Sequence, residues 1–130
     1  MGRTSRTERR RHPRVLLDVS IRLSTIDPEI DPWTGKPFFR SCQEVVADVS
    51  RGGARVCSHE PLSPGRRLLL ELDLPDGRLF EAIARVAWAR IEPTASPHGN
   101  YGLGLEFLGG TPDHMARLES FLHAPRASAA

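Results

Sequence analysis

The sequence has little cysteine and no long hydrophobic run. Only Cys42 and Cys57 occur, and neither lies in a CxxC or Cys/His spacing that would hold a metal ion. Two cysteines are too few for a disulfide framework, so both are expected to be free thiols. No apolar stretch reaches the roughly 18 residues that a membrane-spanning helix needs, and no signal-peptide core follows the polar N-terminus. These absences predict a cytoplasmic protein without membrane insertion.

Lysine and aromatic residues are also scarce. Lys36 is the single lysine, so arginine supplies the other seventeen of the eighteen basic residues. Guanidinium groups bind phosphate and guanine edges through paired hydrogen bonds, for which a lysine ammonium lacks the geometry. Only eight Phe, Trp and Tyr residues occur. This scarcity argues against nucleic-acid binding by a barrel that stacks bases on aromatic side chains.

The positive charge is concentrated near the N-terminus. Residues 1–24 carry seven arginines against two carboxylates, a net charge of +5, whereas the remainder carries eleven basic and fourteen acidic residues, a net charge of −3. The segment ERRRHPRV at residues 8–15 supplies four of the arginines: Arg9, Arg10, Arg11 and Arg14. Guanidinium groups this close repel each other unless anions lie between them. The run therefore predicts an anion-binding clamp, with a solvated basic tail as the alternative.

Hydrophobic periodicity predicts an all-β domain with one short C-terminal helix. Residues 15–23 alternate between apolar and polar side chains, which indicates a half-buried strand. Five further strands are predicted, at residues 44–50, 53–58, 66–74, 79–91 and 101–107. Thr111 and Pro112 mark the start of a helix over about residues 112–123, with Met115, Leu118 and Leu122 on its apolar face. Six strands separated by turn signals predict a six-stranded antiparallel barrel.

This pattern divides the chain into an arm, a domain and a tail. Residues 1–9 are expected to form a flexible basic arm, residues 10–123 the barrel domain, and residues 124–130 a disordered tail. Prolines and a glycine within residues 26–43 predict a long insertion between the first two strands. The insertion carries three aromatic residues: Trp33, Phe38 and Phe39. They are expected to close one end of the barrel, with a partner-binding patch as the alternative.

A second polar motif, DVSRGG at residues 48–53, lies at the corner between the second and third predicted strands. Asp48 and Ser50 are expected on the same face of an extended chain, and Gly53 allows another group to approach closely. A carboxylate accepts two parallel hydrogen bonds, which match guanine N1–H and N2–H, while arginines bind phosphates and the guanine O6/N7 edge. Asp48 and the arginine run together suit a guanine nucleotide. An ordinary turn is the alternative for the motif alone.

The order of the two motifs resembles that of PilZ domains. Arg10-x-x-x-Arg14 followed by Asp48-x-Ser50-x-x-Gly53 is similar to the RxxxR and D/NxSxxG motifs of that family, and RVAW at 85–88 and YGLGLEF at 101–107 are similar to its later strands. The resemblance covers roughly residues 8–123. It implies a PilZ-type barrel that binds the bacterial second messenger cyclic di-GMP, with no cofactor and no catalytic activity.

The resemblance also implies where the ligand binds. The expected ligand-binding residues are Arg9, Arg10, Arg11, Arg14, Asp48, Ser50, Gly52, Gly53 and Trp88. For Trp88, alternation along residues 79–91 places the side chain with Val86 and favours core or rim packing, with stacking on guanine as the alternative. The arginine arm is expected to become ordered over the ligand, and an unidentified effector protein to read the new surface. Two other functions stay open, a nucleic-acid-binding barrel and a PilZ-type module that acts only through protein contacts.

Neither a metal site nor an active site is expected. The stretch DPEID at 27–31 begins like a calcium-binding loop, but it lacks the glycine at the sixth position, and Phe38 stands where the acidic twelfth ligand would be. The five histidines are scattered, and none has a nucleophile or a carboxylate at a catalytic spacing. The sequence therefore predicts a binding protein rather than an enzyme.

Overall fold

The computed structural model of the chain describes residues 15–91 and 99–124. Eight strands and one helix follow one another within these residues: β1 (Val15–Thr25), β2 (Glu29–Ile30), β3 (Pro37–Phe38), β4 (Ser41–Val49), β5 (Gly53–Ser58), β6 (Arg67–Asp73), β7 (Leu79–Ile91), β8 (Tyr101–Gly109) and α1 (Pro112–His123). Strands β2 and β3 form a separate two-stranded hairpin, and the other six strands form the main sheet.

The six-stranded sheet closes into a barrel in the order β1-β4-β5-β8-β7-β6, with β6 paired to β1. Every neighbouring pair is antiparallel. Closure lets each strand share backbone hydrogen bonds with two neighbours, so the barrel exposes no long unpaired edge. The predicted six-stranded antiparallel barrel with a C-terminal helix is confirmed.

Alternate side chains of the strands fill the barrel, as the period of two in the sequence predicts. Ile21 and Leu23 of β1 are buried, and Val19 packs partly against them. The largest fully buried side chains come from all parts of the barrel and from α1: Phe80, Ile21, Leu23, Leu68, Leu70, Leu72, Leu103, Leu118, Val46, Val49, Val56 and Val86. Phe80 also meets Phe107 edge to face, with ring centroids 5.3 Å apart.

The helix α1 packs its apolar face against the barrel. The Thr111 side chain accepts a hydrogen bond from the backbone N–H of His114, which satisfies one of the free donors of the first turn. Leu118, Phe121 and Leu122 are buried, and Met115 is partly buried against the core. Phe121 thus joins the apolar face that the sequence predicts. The backbone N–H of Glu81 in β7 donates to His114 Nδ1 at 3.0 Å, which fixes the start of the helix to the sheet.

The insertion at residues 26–43 is more ordered than the sequence predicts. Its last three residues already belong to β4, and β2 and β3 pair within it. Trp33 is 93% exposed and Phe39 62% exposed, so the expectation that the insertion's aromatic residues close one end of the barrel is wrong.

Among the described residues, no helix has both the length and the apolar character needed to cross a bilayer.

Candidate functional site

The DVSRGG segment forms the corner between β4 and β5. The backbone N–H of Ser50 donates to the Gly53 carbonyl at 2.8 Å, which closes the turn. The backbone N–H of Phe107 donates to the Gly52 carbonyl at 2.9 Å, which joins the turn to β8. The corner is therefore held by main-chain bonds from two directions, and its position relative to β8 is fixed.

Gly53 stands where β5 and β8 come into very close contact. A methyl group in place of its hydrogen would overlap the Leu105 carbonyl oxygen of β8. The sequence predicts a close approach at Gly53, and the group that approaches is this backbone carbonyl. At Gly52, in contrast, an added methyl group would meet no atom within 4 Å. The two neighbouring glycines thus have different roles, since only Gly53 is required by packing.

Asp48 is a buried carboxylate with a cationic partner on the next strand. Its side chain is only 6% exposed, and its Oδ2 lies 3.1 Å from Nε of Arg55. The two residues are direct cross-strand partners in the β4–β5 pairing. A buried charge is costly unless a counter-ion compensates it, and Arg55 provides that counter-ion. Arg55 was missed in the sequence, although its place two residues after Gly53 puts it opposite Asp48 in the hairpin.

A groove of about 440 Å³ runs over the outer surface of β5, β7 and β8 at this corner. Its size is in the range of small-molecule sites. It is lined by Ser50, Gly52, Gly53, Ala54, Arg55, Arg85, Ala87, Trp88, Gly104, Leu105 and Glu106. The structure thus brings four of the expected ligand-binding residues together in one groove: Ser50, Gly52, Gly53 and Trp88. Asp48 lies behind this lining, in contact with it through Arg55.

Trp88 lies on the groove, not beside Val86 in the core. The pairing of β7 with β8 shifts by one residue between Val86, which faces Leu105, and Trp88, which faces Gly104. This irregularity breaks the alternation, so the predicted shared face of Val86 and Trp88 is wrong. Val86 is buried, whereas Trp88 lines the groove with Arg85 and is partly exposed.

The Trp88 indole rests directly on Gly104. A methyl group at that glycine would overlap the indole nitrogen and its neighbouring ring atoms. The Arg90 guanidinium carbon lies 4.3 Å from the Trp88 ring centroid, a cation–π geometry. An aromatic ring that covers a cross-strand glycine is a recognised way to fill the space above it. The indole therefore lies against β8 and forms part of the groove wall.

Most charged side chains at the groove are paired with each other. Arg55 pairs with Asp48, and Arg85 forms an ion pair with Glu106. These two pairs cancel, and Arg90, which lies on the Trp88 ring, is a further cation beside the groove. The four arginines that the sequence places at this site, Arg9, Arg10, Arg11 and Arg14, lie outside the described residues.

Within residues 15–91 and 99–124, no three His, Cys, Asp or Glu side chains are grouped so that they could hold a metal ion.

Comparison with known proteins identifies the family of this barrel. A family model described as the PilZ domain matches residues 8–124. No curated protein matches the chain. Among solved structures, the chain is similar to the inhibitor of motility MotI/DgrA of Bacillus subtilis, with a TM-score of 0.65 and 18% identity over 88% of this chain and 49% of that chain.

Two further structures are solved with a nucleotide. The chain is similar to the PilZ domain of YcgR from Escherichia coli with c-di-GMP, with a TM-score of 0.60 and 16% identity over 88% of both chains. It is also similar to the MrkH–c-di-GMP complex of K. pneumonia, with a TM-score of 0.57 and 18% identity over 87% of this chain and 50% of that chain. The chain spans about half the length of MotI/DgrA and of MrkH. These similarities show a shared fold, and the family match over residues 8–124 shows that the chain belongs to the PilZ domain family.

Proposed function

We propose that this protein is a non-catalytic receptor for cyclic di-GMP that acts in the bacterial cytoplasm. Membership of the PilZ domain family supports the proposal, as do the c-di-GMP complexes of the similar YcgR domain and of MrkH. The main supporting observation is that Ser50, Gly52 and Gly53 line one groove together with Trp88. The buried Asp48 lies beside this groove. Trp88 comes from a part of the sequence that is distant from the DVSRGG corner.

Asp48 would read guanine in this groove. Its carboxylate lies behind the groove lining and is paired with the more exposed Arg55, so Arg55 would have to move aside before Asp48 accepts hydrogen bonds from guanine N1–H and N2–H. A buried carboxylate repels phosphate. Its presence at a site for an anionic ligand is therefore favourable only if it accepts hydrogen bonds from the N–H groups of a base. The flat Trp88 indole would provide an apolar surface against which a base stacks.

The arginine arm would supply the charge that the groove lacks. Because the two ion pairs cancel and Arg90 adds a single positive charge, these residues do not neutralise a ligand with two phosphates. Arg10 and Arg14, with Arg9 and Arg11 beside them, would do so. We infer that the arm becomes ordered when ligand bridges it to the groove, and that an effector protein reads the resulting surface. Amide exchange through about residue 14 should slow when cyclic di-GMP is added.

Substitution of Asp48 tests guanine recognition against simple charge attraction. Asp48→Ala is expected to weaken cyclic di-GMP binding by roughly 1–3 kcal/mol, because the base loses a charged acceptor. Binding of inorganic tripolyphosphate should stay unchanged or become slightly tighter, because a negative charge is removed. Isothermal titration calorimetry measures both, and circular dichroism checks that the variant is folded. Asp73→Ala is the matched control, since it removes an exposed carboxylate outside the groove.

Equal cyclic di-GMP affinity in the parent and in folded Asp48→Ala would show that guanine is not read at Asp48. Equal losses for the nucleotide and for tripolyphosphate would instead assign the residue to the general stability of the site. Asp48→Asn serves as a second variant if Asp48→Ala is unstable, because the amide keeps one acceptor oxygen opposite Arg55.

A further inference from the structure

The exposed apolar residues of the described chain are concentrated in the β2–β3 hairpin. Four of the seven large exposed hydrophobic side chains lie there, and they form what we call the hairpin patch: Ile30, Trp33, Phe38 and Phe39. The other three lie elsewhere on the barrel: Leu79 and Ile91 stand at the two ends of β7, and Leu108 is in β8. Scattered apolar residues are normal on a protein surface, but three exposed aromatic residues within positions 33–39, with the tryptophan 93% exposed, indicate an interaction surface.

The turn that presents Trp33 is fixed by its own hydrogen bonds. Asp31 Oδ1 accepts from the backbone N–H of Trp33 at 2.8 Å and from that of Thr34 at 3.4 Å. The backbone N–H of Gly35 donates to the Asp31 carbonyl at 2.8 Å, and the backbone N–H of Asp31 donates to the Lys36 carbonyl at 2.9 Å. The tryptophan is therefore held on an ordered turn, which lowers the entropy lost when another surface covers it.

Ion pairs fix the base of the hairpin to the barrel. Arg67 of β6 donates two hydrogen bonds to the Asp27 carboxylate, at 2.7 and 3.1 Å, and this contact lowers the pKa of Asp27. Glu29 of β2 meets Nε of Arg40 at 2.6 Å. The acidic residues at the base are thus paired within the molecule, and the hairpin does not need a partner to remain folded.

We propose that the hairpin patch is a twofold interface on which a second copy of this chain docks. Asp31 and Lys36, which flank the turn, are the only charged residues between 30 and 39, and they carry opposite charges. A surface with one charge of each sign is self-complementary. Asp31 and Lys36 are neighbours across the hairpin, so a twofold axis that passes beside them places Asp31 of each copy against Lys36 of the other, with the aromatic rings packed around the two ion pairs. This balance does not suit an anionic membrane, which attracts surfaces with excess positive charge.

The size of the patch predicts a weak dimer. A buried aromatic side chain covers 150–250 Å², so the exposed parts of the three aromatic residues amount to roughly 400 Å² in each copy. Two copies with Ile30 would bury roughly 1,000 Å² in total, near the lower limit for a specific interface. We expect a dissociation constant on the order of 10–100 µM. The inference does not depend on cyclic di-GMP, and its test uses the protein without nucleotide.

Sedimentation equilibrium of the full chain from roughly 5 µM to 1 mM tests the proposal. The parent should change from monomer to dimer over this range. Trp33→Ala should raise the dissociation constant at least about thirtyfold, because a central tryptophan is lost from both copies. Leu108→Ala is the matched control, since it removes a half-exposed apolar side chain from β8, which is not a neighbour of β1 or β4, the two strands that flank the hairpin, and it should dimerise like the parent.

The charge pair and the tryptophan give two independent readouts. Lys36→Glu places acidic groups opposite each other, so its dimer should be weaker than the parent's at low salt and should tighten as salt is added, whereas the parent's dimer should loosen. In Trp88→Phe, Trp33 is the single tryptophan, and its emission should shift to shorter wavelength as the protein concentration rises.

Three results would overturn the proposal. They are a parent that stays monomeric up to roughly 1 mM, a Trp33→Ala variant that dimerises with the parent's dissociation constant, and a Leu108→Ala variant that is weakened as much as Trp33→Ala. A monomeric parent that nevertheless binds cyclic di-GMP would leave the proposed function intact and assign the hairpin patch to a different protein.

Discussion

The groove and the hairpin patch present opposite kinds of surface on one small barrel. The groove is concave and depends on missing side chains, because Gly53 lets β8 approach and Gly104 makes room for the Trp88 indole. The hairpin patch is convex and depends on projecting side chains, with Trp33 almost fully exposed. Substitutions in the groove should therefore disturb the fold as well as binding, whereas substitutions in the patch should disturb association alone.

The largest expected effect is on stability, at Gly53. Gly53→Ala places a methyl group against the Leu105 carbonyl oxygen, and both atoms belong to backbone in paired strands that cannot move independently. We expect the free energy of unfolding to fall by about 3 kcal/mol, at the upper end of the cost of overpacking. Urea denaturation followed by circular dichroism measures the change.

Gly52→Ala is the matched control for Gly53→Ala. It adds the same methyl group one residue earlier, in open space, and should change the free energy of unfolding by less than about 0.5 kcal/mol. Trp33→Ala should be equally mild, because an exposed side chain contributes little to the core. If Gly53→Ala is as stable as Gly52→Ala, the close contact of β5 with β8 does not constrain the groove.

The next effect concerns the arm that completes the groove. Arg14→Ala should weaken cyclic di-GMP binding by about 2 kcal/mol, because a charge-assisted hydrogen bond to phosphate or guanine is lost. Arg3→Ala removes the same charge at a residue that belongs to no RxxxR spacing and should have a much smaller effect. Calorimetric titration compares the two variants, and equal losses would mean that the arm binds through its total charge alone.

A smaller effect is expected at Gly104, where the obstructing group is a side chain. In Gly104→Ala the indole of Trp88 must move away from the new methyl group, and side chains yield more easily than backbone. We expect a loss of about 1 kcal/mol in the free energy of unfolding. In a Trp33→Phe background, the emission of Trp88 should also change. Unchanged emission would show that the indole does not rest on this glycine.

The smallest effect concerns the Asp27–Arg67 ion pair, which fixes the hairpin to the barrel, at low pH. Because the hydrogen bonds from Arg67 lower the pKa of Asp27 below 3.8, the pair stabilises the hairpin above that pH and is lost only as the pH falls through the lowered value. The Arg67 Nε–H signal in NMR spectra should therefore stay unchanged from pH 7 to roughly pH 5. A signal that shifts within this range would mean that the Asp27–Arg67 ion pair is weaker than its geometry indicates.

Local patterns in the sequence predict much of the fold. The strands and α1 follow from alternation, turn residues and the Thr111–Pro112 start, because each of these signals is read within a few neighbouring residues. The DVSRGG corner was also predicted, because aspartate, serine and glycine are typical turn residues.

Features that depend on strand pairing could not be predicted in the same way. The register shift before Trp88 is a property of two strands together, so alternation within β7 assigned the tryptophan to the wrong face. Arg55 joins the site only through its cross-strand partner Asp48. The β2–β3 hairpin was missed because each strand has two residues, too short for any period to appear.

The most direct test of the proposed function is a calorimetric titration of the parent protein with cyclic di-GMP, and with GTP and a short oligonucleotide as competing candidates. The groove and the arginine arm predict saturable binding of cyclic di-GMP, with GTP and the oligonucleotide at least about tenfold weaker. No binding of cyclic di-GMP by the folded protein, or binding no tighter than that of the oligonucleotide, would contradict the account.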